Sequence, residues 1–153
     1  MLIFDCSGLL NYSRHIILTD ITEESWKSYS KFIMLTMLTT IKKFKDTEVI
    51  CIWDTHNPQR RKELWTDYKK RPELDIYTRS GKIKSLENEN TSKAKEWINN
   101  IFLSKSGFKT ISVDGIEACD IGNALINRLA LSEKGGLISE NKNWVQSLRE
   151  GWK

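Results

Sequence analysis

The run VICIW at residues 49–53 constrains the fold more than any other stretch of this chain. It is short, continuous and β-branched, the composition of a strand covered on both faces. Three further short runs share its character: LIFD at 2–5, KTISV at 109–113 and LIS at 137–139. Between them the apolar residues recur at helical spacing. Strands that alternate with helices specify an α/β layered fold with a mainly parallel sheet. No repeat and no linker divides the chain, so residues 1–153 are read as one domain, long enough to bury a sizeable core.

The first run ends in Asp5 and CSG, which reads as a tight turn, with a helix able to begin near Leu9. A long helix is expected after DITEE, with Asp20 or Thr22 as its cap and Trp26, Tyr29, Ile33, Met37, Ile41 and Phe44 near one face. Asn57-Pro58 opens a basic helix that should run to about Lys70, where Pro72 stops it. Residues 73–91 are polar and read as a loop or poorly packed helices. A helix over 92–103 should place Ala94, Trp97, Ile98, Ile101 and Phe102 on one side and end at Gly107. Asp114-Gly115 turns the chain into another helix, where Ala118, Ile121, Leu125 and Leu129 repeat at core-facing spacing. A last helix over 141–148 should turn Trp144, Val145 and Leu148 inward.

In an open parallel sheet, ligands bind beyond the carboxyl ends of the strands. Asp5 ends the first strand and Asp54 follows the second. Glu117 and Asp120 follow the third, and Asn141 and Asn143 the fourth. Four carboxylates brought together repel one another unless a cation neutralises them, and an oxygen-rich set suits Mg²⁺ or Mn²⁺. A carboxylate-held metal beside a basic surface serves phosphodiester hydrolysis. Residues 58–71 (PQRRKELWTDYKKR) carry six Lys/Arg against two acids, the whole of the net +4. Residues 79–95 add five Lys/Arg against two Glu. With Trp65, Tyr68 and Tyr77 interleaved, this reads as a phosphate-backbone footprint, a solvated helix face being the plainer alternative. Cys6, Cys51 and Cys119 are odd in number and lack CxxC spacing, so neither a disulfide framework nor a zinc site is expected. No run approaches a membrane span and the N-terminus is not that of a secretory signal, so a cytoplasmic setting is expected.

LIFDCSGLL, ICIWD, DYKKR, GIEACDIG and LISENKNW, in this order, resemble the metal-dependent 5′-nuclease family, which includes flap endonucleases and phage 5′-exonucleases. The likeness is greatest to its ribonuclease H branch in T-even bacteriophages. It implies a three-layer PIN-like domain and a Mg²⁺- or Mn²⁺-dependent nuclease acting on DNA or RNA–DNA hybrids with a 5′ end or flap, as in replication. Asp5, Asp54, Glu117 and Asp120 match the family's metal-binding acids. Lys69 and Arg71 match the residues that contact the scissile phosphate, with Lys70 interchangeable for Arg71, and Tyr68 matches a base-stacking tyrosine. The surrounding Arg60, Arg61 and Trp65 join the nucleic-acid footprint. Residues at about 72–91 correspond to a mobile arch over single-stranded DNA.

The departures are specific. The family's Asp pair after the fourth strand is here Asn141 and Asn143, and a further Asp of the third block is here Cys119. Amide oxygens can still ligate a hard cation, without charge. The chain stops at Lys153, where the family continues into a helix-hairpin-helix region, so it is either a minimal version, or dependent on a partner such as a replication protein for duplex binding, or a fragment. These departures favour a second reading, a weakened nuclease-like module that binds nucleic acid or assists replication. A toxin-type PIN ribonuclease is a third, but Asp54 directly after its strand fits the 5′-nuclease pattern better.

Overall fold

The computed structural model describes residues 1–17, 21–44, 48–55, 59–68, 77–129 and 135–148, without the side chains of Arg60, Arg79 and Leu129. Strands β1 (Leu2–Asp5), β2 (Val49–Ile52), β3 (Lys109–Ile111) and β4 (Gly136–Ile138) form one parallel sheet in the order β3-β2-β1-β4. β1 sits at the centre, in register Leu2↔Val49 on one side and Leu2↔Gly136 on the other. All four residues of β1 and of β2 are buried, as the continuous apolar runs require.

The period of two along each strand divides the core. Leu2, Phe4, Val49, Cys51 and Trp53 face a layer built from α1 (Cys6–Ile16), α2 (Ser25–Lys43) and α4 (Arg79–Trp97). Ile3, Ile50 and Ile52 face the opposite layer, made by α6 (Ala118–Leu129) and the 3₁₀ segment Lys142–Ser147. The short helices α3 (Gln59–Leu64) and α5 (Ser104–Ser106) complete the set. This is the three-layer α/β arrangement with a parallel sheet that the sequence specifies.

Several local expectations shift, each for a physical reason. No turn separates β1 from α1. Asp5 ends the strand and caps the helix, accepting from Gly8 N–H at 2.8 Å, so the helix starts at Cys6. On α2, Tyr29, Ile33 and Met37 are buried as expected, while Phe44 at its end is exposed. Asp20 lies outside the described residues. Ser25 Oγ accepts from Thr22 N–H at the start of the helix.

The polar stretch 73–91 is not loop throughout: α4 begins at Arg79, capped by Thr78. Buried Asn90 holds it to α2, accepting from Trp26 N–H and donating to the Thr22 carbonyl. Composition alone hides this, because a polar side chain carries the packing. Next comes a π-helical segment, Ile98–Leu103. Its wider turn buries Ile98 and Leu103, five apart, and leaves Ile101 exposed, against the regular α spacing expected there. Trp97 is only partly buried. The helix after Asn57-Pro58 is also shorter than expected, Gln59–Leu64, followed by a turn to Tyr68. Asn57, Pro58 and Lys70 lie outside the described residues.

The last element is 3₁₀ rather than α, so Trp144 is buried while Val145 stays exposed. Trp144 lies against α6 at Gly122, where a Cβ would overlap its ring. All three cysteines are free and buried. Among the described residues no helix is long and apolar enough to cross a membrane.

Candidate active site

The carboxyl ends of the strands bring the predicted acids to one edge of the sheet. Asp5 is buried there. Its Oδ1 accepts from Gly8 N–H at 2.8 Å and its Oδ2 from the Ser139 hydroxyl at 2.6 Å. Ser139 Oγ in turn accepts from Asn141 N–H at 3.0 Å, tying the segment after β4 to β1. Burial pushes the Asp5 carboxyl above its ordinary range; the Ser139 and Gly8 bonds only partly offset this, and the Asp54 charge adds to it.

Asp54 follows β2. Its N–H donates to Ser7 Oγ at 2.7 Å, and its Oδ1 accepts from Ala118 N–H at 2.6 Å, at the start of α6. Two of the acids therefore occupy helix N-termini, where free N–H groups favour negative charge. Gly115, at φ 74°, makes the left-handed turn that leads into Glu117. Glu117 is buried and Asp120 is partly exposed one turn on.

Glu117, Cys119 and Asp120 present ligand atoms within 4.8 Å of one another. Asp5 and Asp54 do not join that group. With Glu140 and Asn141 they line an adjoining cleft of about 270 Å³, which also meets Asn11, Tyr12 and His15. Asn143 is exposed, and its N–H donates to Asn141 Oδ1 at 3.0 Å. Burial pushes the Cys119 thiol up to about 11, against the pull of Arg61. Where the resemblance implies an acid, the chain thus carries a neutral group at ordinary pH.

By sequence Arg61 belongs to the nucleic-acid footprint, yet its side chain turns onto these acids. Its Nη2 and Nε donate to Asp120 at 2.8 and 3.2 Å, and its Nη1 lies 2.9 Å from Glu117 Oε2. Nη2 also approaches Cys119 Sγ at 3.3 Å. The Tyr68 hydroxyl accepts from Nη1 at 2.8 Å and bonds to Glu117 at 3.1 Å. The Asp120 pairing above all holds the guanidinium more firmly protonated than usual. Trp65 lies beside Tyr68, ring centroids 6.0 Å apart, and is 62% exposed. Lys69, Lys70 and Arg71 lie outside the described residues, as do His56 and the side chain of Arg60.

Lys95 also reaches this edge, though it carries no motif in the sequence. It reaches back from α4, its Nζ 3.0 Å from the Asp54 carbonyl and 5.2 Å from the Trp53 ring centroid. Burial lowers its pKa. It lines a cleft of about 440 Å³ with Ser7, Asn11, Trp53, Asp54 and Thr91. The one sequence hint was its place in the second basic stretch.

The fold is shared with solved structures: the chain has the PIN-like fold of the 5′-nuclease structures it superposes on. A T5 protein crystallised with metal ions superposes over 99% of the chain at 21% identity, with a TM-score of 0.74. T5 5′-exonuclease with bound zinc gives 20% identity and 0.67. The flap endonuclease of bacteriophage T5, in a complex with DNA and metal ions, also gives 20% and 0.67. This chain covers 52%, 53% and 52% of those chains, so it spans about half the length of the solved structures it matches. No family model matches it, and no curated protein does.

Proposed function

We propose that the chain is a divalent-metal-dependent nuclease of the 5′-nuclease type, hydrolysing phosphodiester bonds in DNA or RNA–DNA hybrids near a 5′ end or flap. One observation carries the reading: Asp5, Asp54 and the pair Glu117 and Asp120 come from three separate places in the chain to one edge of a parallel sheet, beside the basic helix α3. The donor set fits a hard cation, since carboxylate oxygens dominate and Glu117 and Asp120 present theirs within 4.8 Å of each other. Mg²⁺ or Mn²⁺ would be held by Asp5, Asp54, Glu117 and Asp120, with Asn141 and Asn143 as uncharged candidates. Such an ion supplies an activated water and neutralises charge on the phosphate.

The chain's own residues bind and orient. Trp65 and Tyr68 offer faces to bases, and Arg60, Lys69, Lys70 and Arg71 provide cationic contacts to phosphates. Lys69 and Arg71 hold the scissile one. In this reading the arch over a single strand falls on residues at about 72–91, whose described part from Arg79 is α4, held to α2 by Asn90. A replication protein that grips the duplex is part of the same proposal. The T5 neighbours named for metal ions, exonuclease action and a DNA complex support it.

A second reading, a weakened module that binds nucleic acid without efficient cleavage, is favoured by Asn141 and Asn143 and by the engagement of Arg61 with two of the acids. Labelled flap DNA and RNA–DNA hybrid, incubated with Mg²⁺ or Mn²⁺, separate the two. Cleavage that disappears in Asp5→Ala and Asp120→Ala supports the nuclease. Salt-dependent binding without cleavage supports the module, and absence of both binding and cleavage removes both.

A further inference from the structure

We infer that Arg61 is an internal competitor for the divalent cation, occupying the charge space between Glu117 and Asp120 until the ion displaces it; this rests on the metal-dependent reading above. The guanidinium addresses the very atoms an ion would use. Its Nε and Nη2 fork onto both oxygens of Asp120, and its Nη1 meets Glu117 Oε2 at 2.9 Å. Its Nη2 covers Cys119 Sγ at 3.3 Å. Those three residues make up the cation-competent cluster found among the described residues.

A lone pair that accepts a short charge-assisted hydrogen bond is not free for a metal. A guanidinium this close would also repel a divalent charge at the same place. Ion and guanidinium therefore exclude one another there. Cys119 sharpens the competition. Where a third carboxylate would leave negative charge to spare, a thiol leaves two carboxylates, half of whose charge one arginine neutralises.

The displaced position is built into the same short element. Arg61 lies on α3, within the basic stretch, and its Nη1 also bonds Tyr68, whose ring centroid is 5.5 Å from the guanidinium carbon. A guanidinium released from the acids stays beside Tyr68 and Trp65 and faces outward, where a phosphate can take the place of the carboxylates as its partner. Metal binding and formation of the basic footprint are thereby coupled through one side chain.

Calorimetric titration of the full chain with MgCl₂ and MnCl₂, comparing wild type with Arg61→Met and Arg61→Lys, tests this. Arg61→Met keeps the aliphatic stem and removes the charge. It should tighten divalent binding on the order of tenfold to a hundredfold, the equivalent of the charge-assisted bonds the ion no longer displaces. Arg61→Lys should fall between the two. Equal or weaker binding by Arg61→Met overturns the inference, as does absence of binding in every protein. Should Arg61→Met not fold, the side-chain Nε–H resonance of Arg61 in the wild-type protein decides. It should be protected from exchange without metal and move on saturation with Mg²⁺, and an unchanged resonance at saturation overturns the inference. Tighter binding without flap cleavage would leave this inference standing and remove the nuclease reading; cleavage with unchanged affinity would do the reverse.

Discussion

Gly8→Ala adds a single methyl group and replaces none of the four acids, yet it should dismantle the Asp5 position. Gly8 lies in the first turns of α1, and its N–H donates to Asp5 Oδ1. A Cβ at this site would fall well inside 3.0 Å of Asp5 Oδ2, with the carboxyl carbon at 2.9 Å. The carboxylate cannot simply swing away, because it is buried and held from its other side by Ser139 at 2.6 Å. Moving it breaks or bends both bonds. Hydrogen bonds to charged groups are each worth about 1.5–3 kcal/mol, while alanine in place of glycine within a helix returns about 1 kcal/mol. A net loss of about 2–5 kcal/mol follows if both bonds are lost. For a chain of this size each kcal/mol lowers Tm by roughly 2–4 °C. Urea denaturation should show a lower midpoint at unchanged slope, and Mn²⁺ titration a weaker affinity, since Asp5 and the Ser139–Asn141 link move together. Helix propensity alone predicts the opposite sign. A Gly8→Ala protein as stable as wild type, or more so, with unaltered metal binding would refute the view that Gly8 is there to admit the Asp5 carboxylate.

Gly122→Ala should destabilise by about 1–3 kcal/mol through overpacking against Trp144, partly offset by helix propensity, and a urea midpoint with the near-ultraviolet tryptophan signal would register both effects. Asp5→Asn should raise Tm at pH 7 while weakening metal binding. Because burial raises the Asp5 carboxyl above 3.8, the fold favours its protonated form and loses stability as pH rises from 3.8 through the folded value, so the gain should vanish in melts taken below pH 3.8. Lys95→Met keeps the apolar stem against Trp53 and removes one cation from the cleft. Single-stranded DNA binding, measured across salt concentrations, should weaken with a slope shallower by about one, and an identical slope would place Lys95 outside the phosphate path.

Much of the fold was legible because it rests on patterns that survive in one dimension. The buried runs at 2–5 and 49–53 could only be strands of a sheet covered on both faces, and the helical spacing between them required crossovers and hence parallel pairing. The place of Asp5, Asp54, Glu117 and Asp120 at one edge follows from that topology, since each follows a strand of a parallel sheet. The extent of α4 was not legible, because its packing depends on Asn90, a polar residue whose partners lie 64 and 68 positions away. Nor was the exposure of Ile101, which a π turn decides.

The chain by itself therefore determined its class of fold and which residues of which chemistry gather at the sheet edge, because periodicity and strand order act locally and repeat. Tertiary structure decided which of those charges meet. That Arg61 reaches the acids 56 and 59 positions ahead of it, that Lys95 reaches the Asp54 carbonyl and that Ser139 grips Asp5 are contacts between segments whose separation in sequence bears no relation to their distance in space. Spacing along a chain can show that a cation lies near a site, but only the folded backbone determines whether it points at the solvent or at the carboxylates.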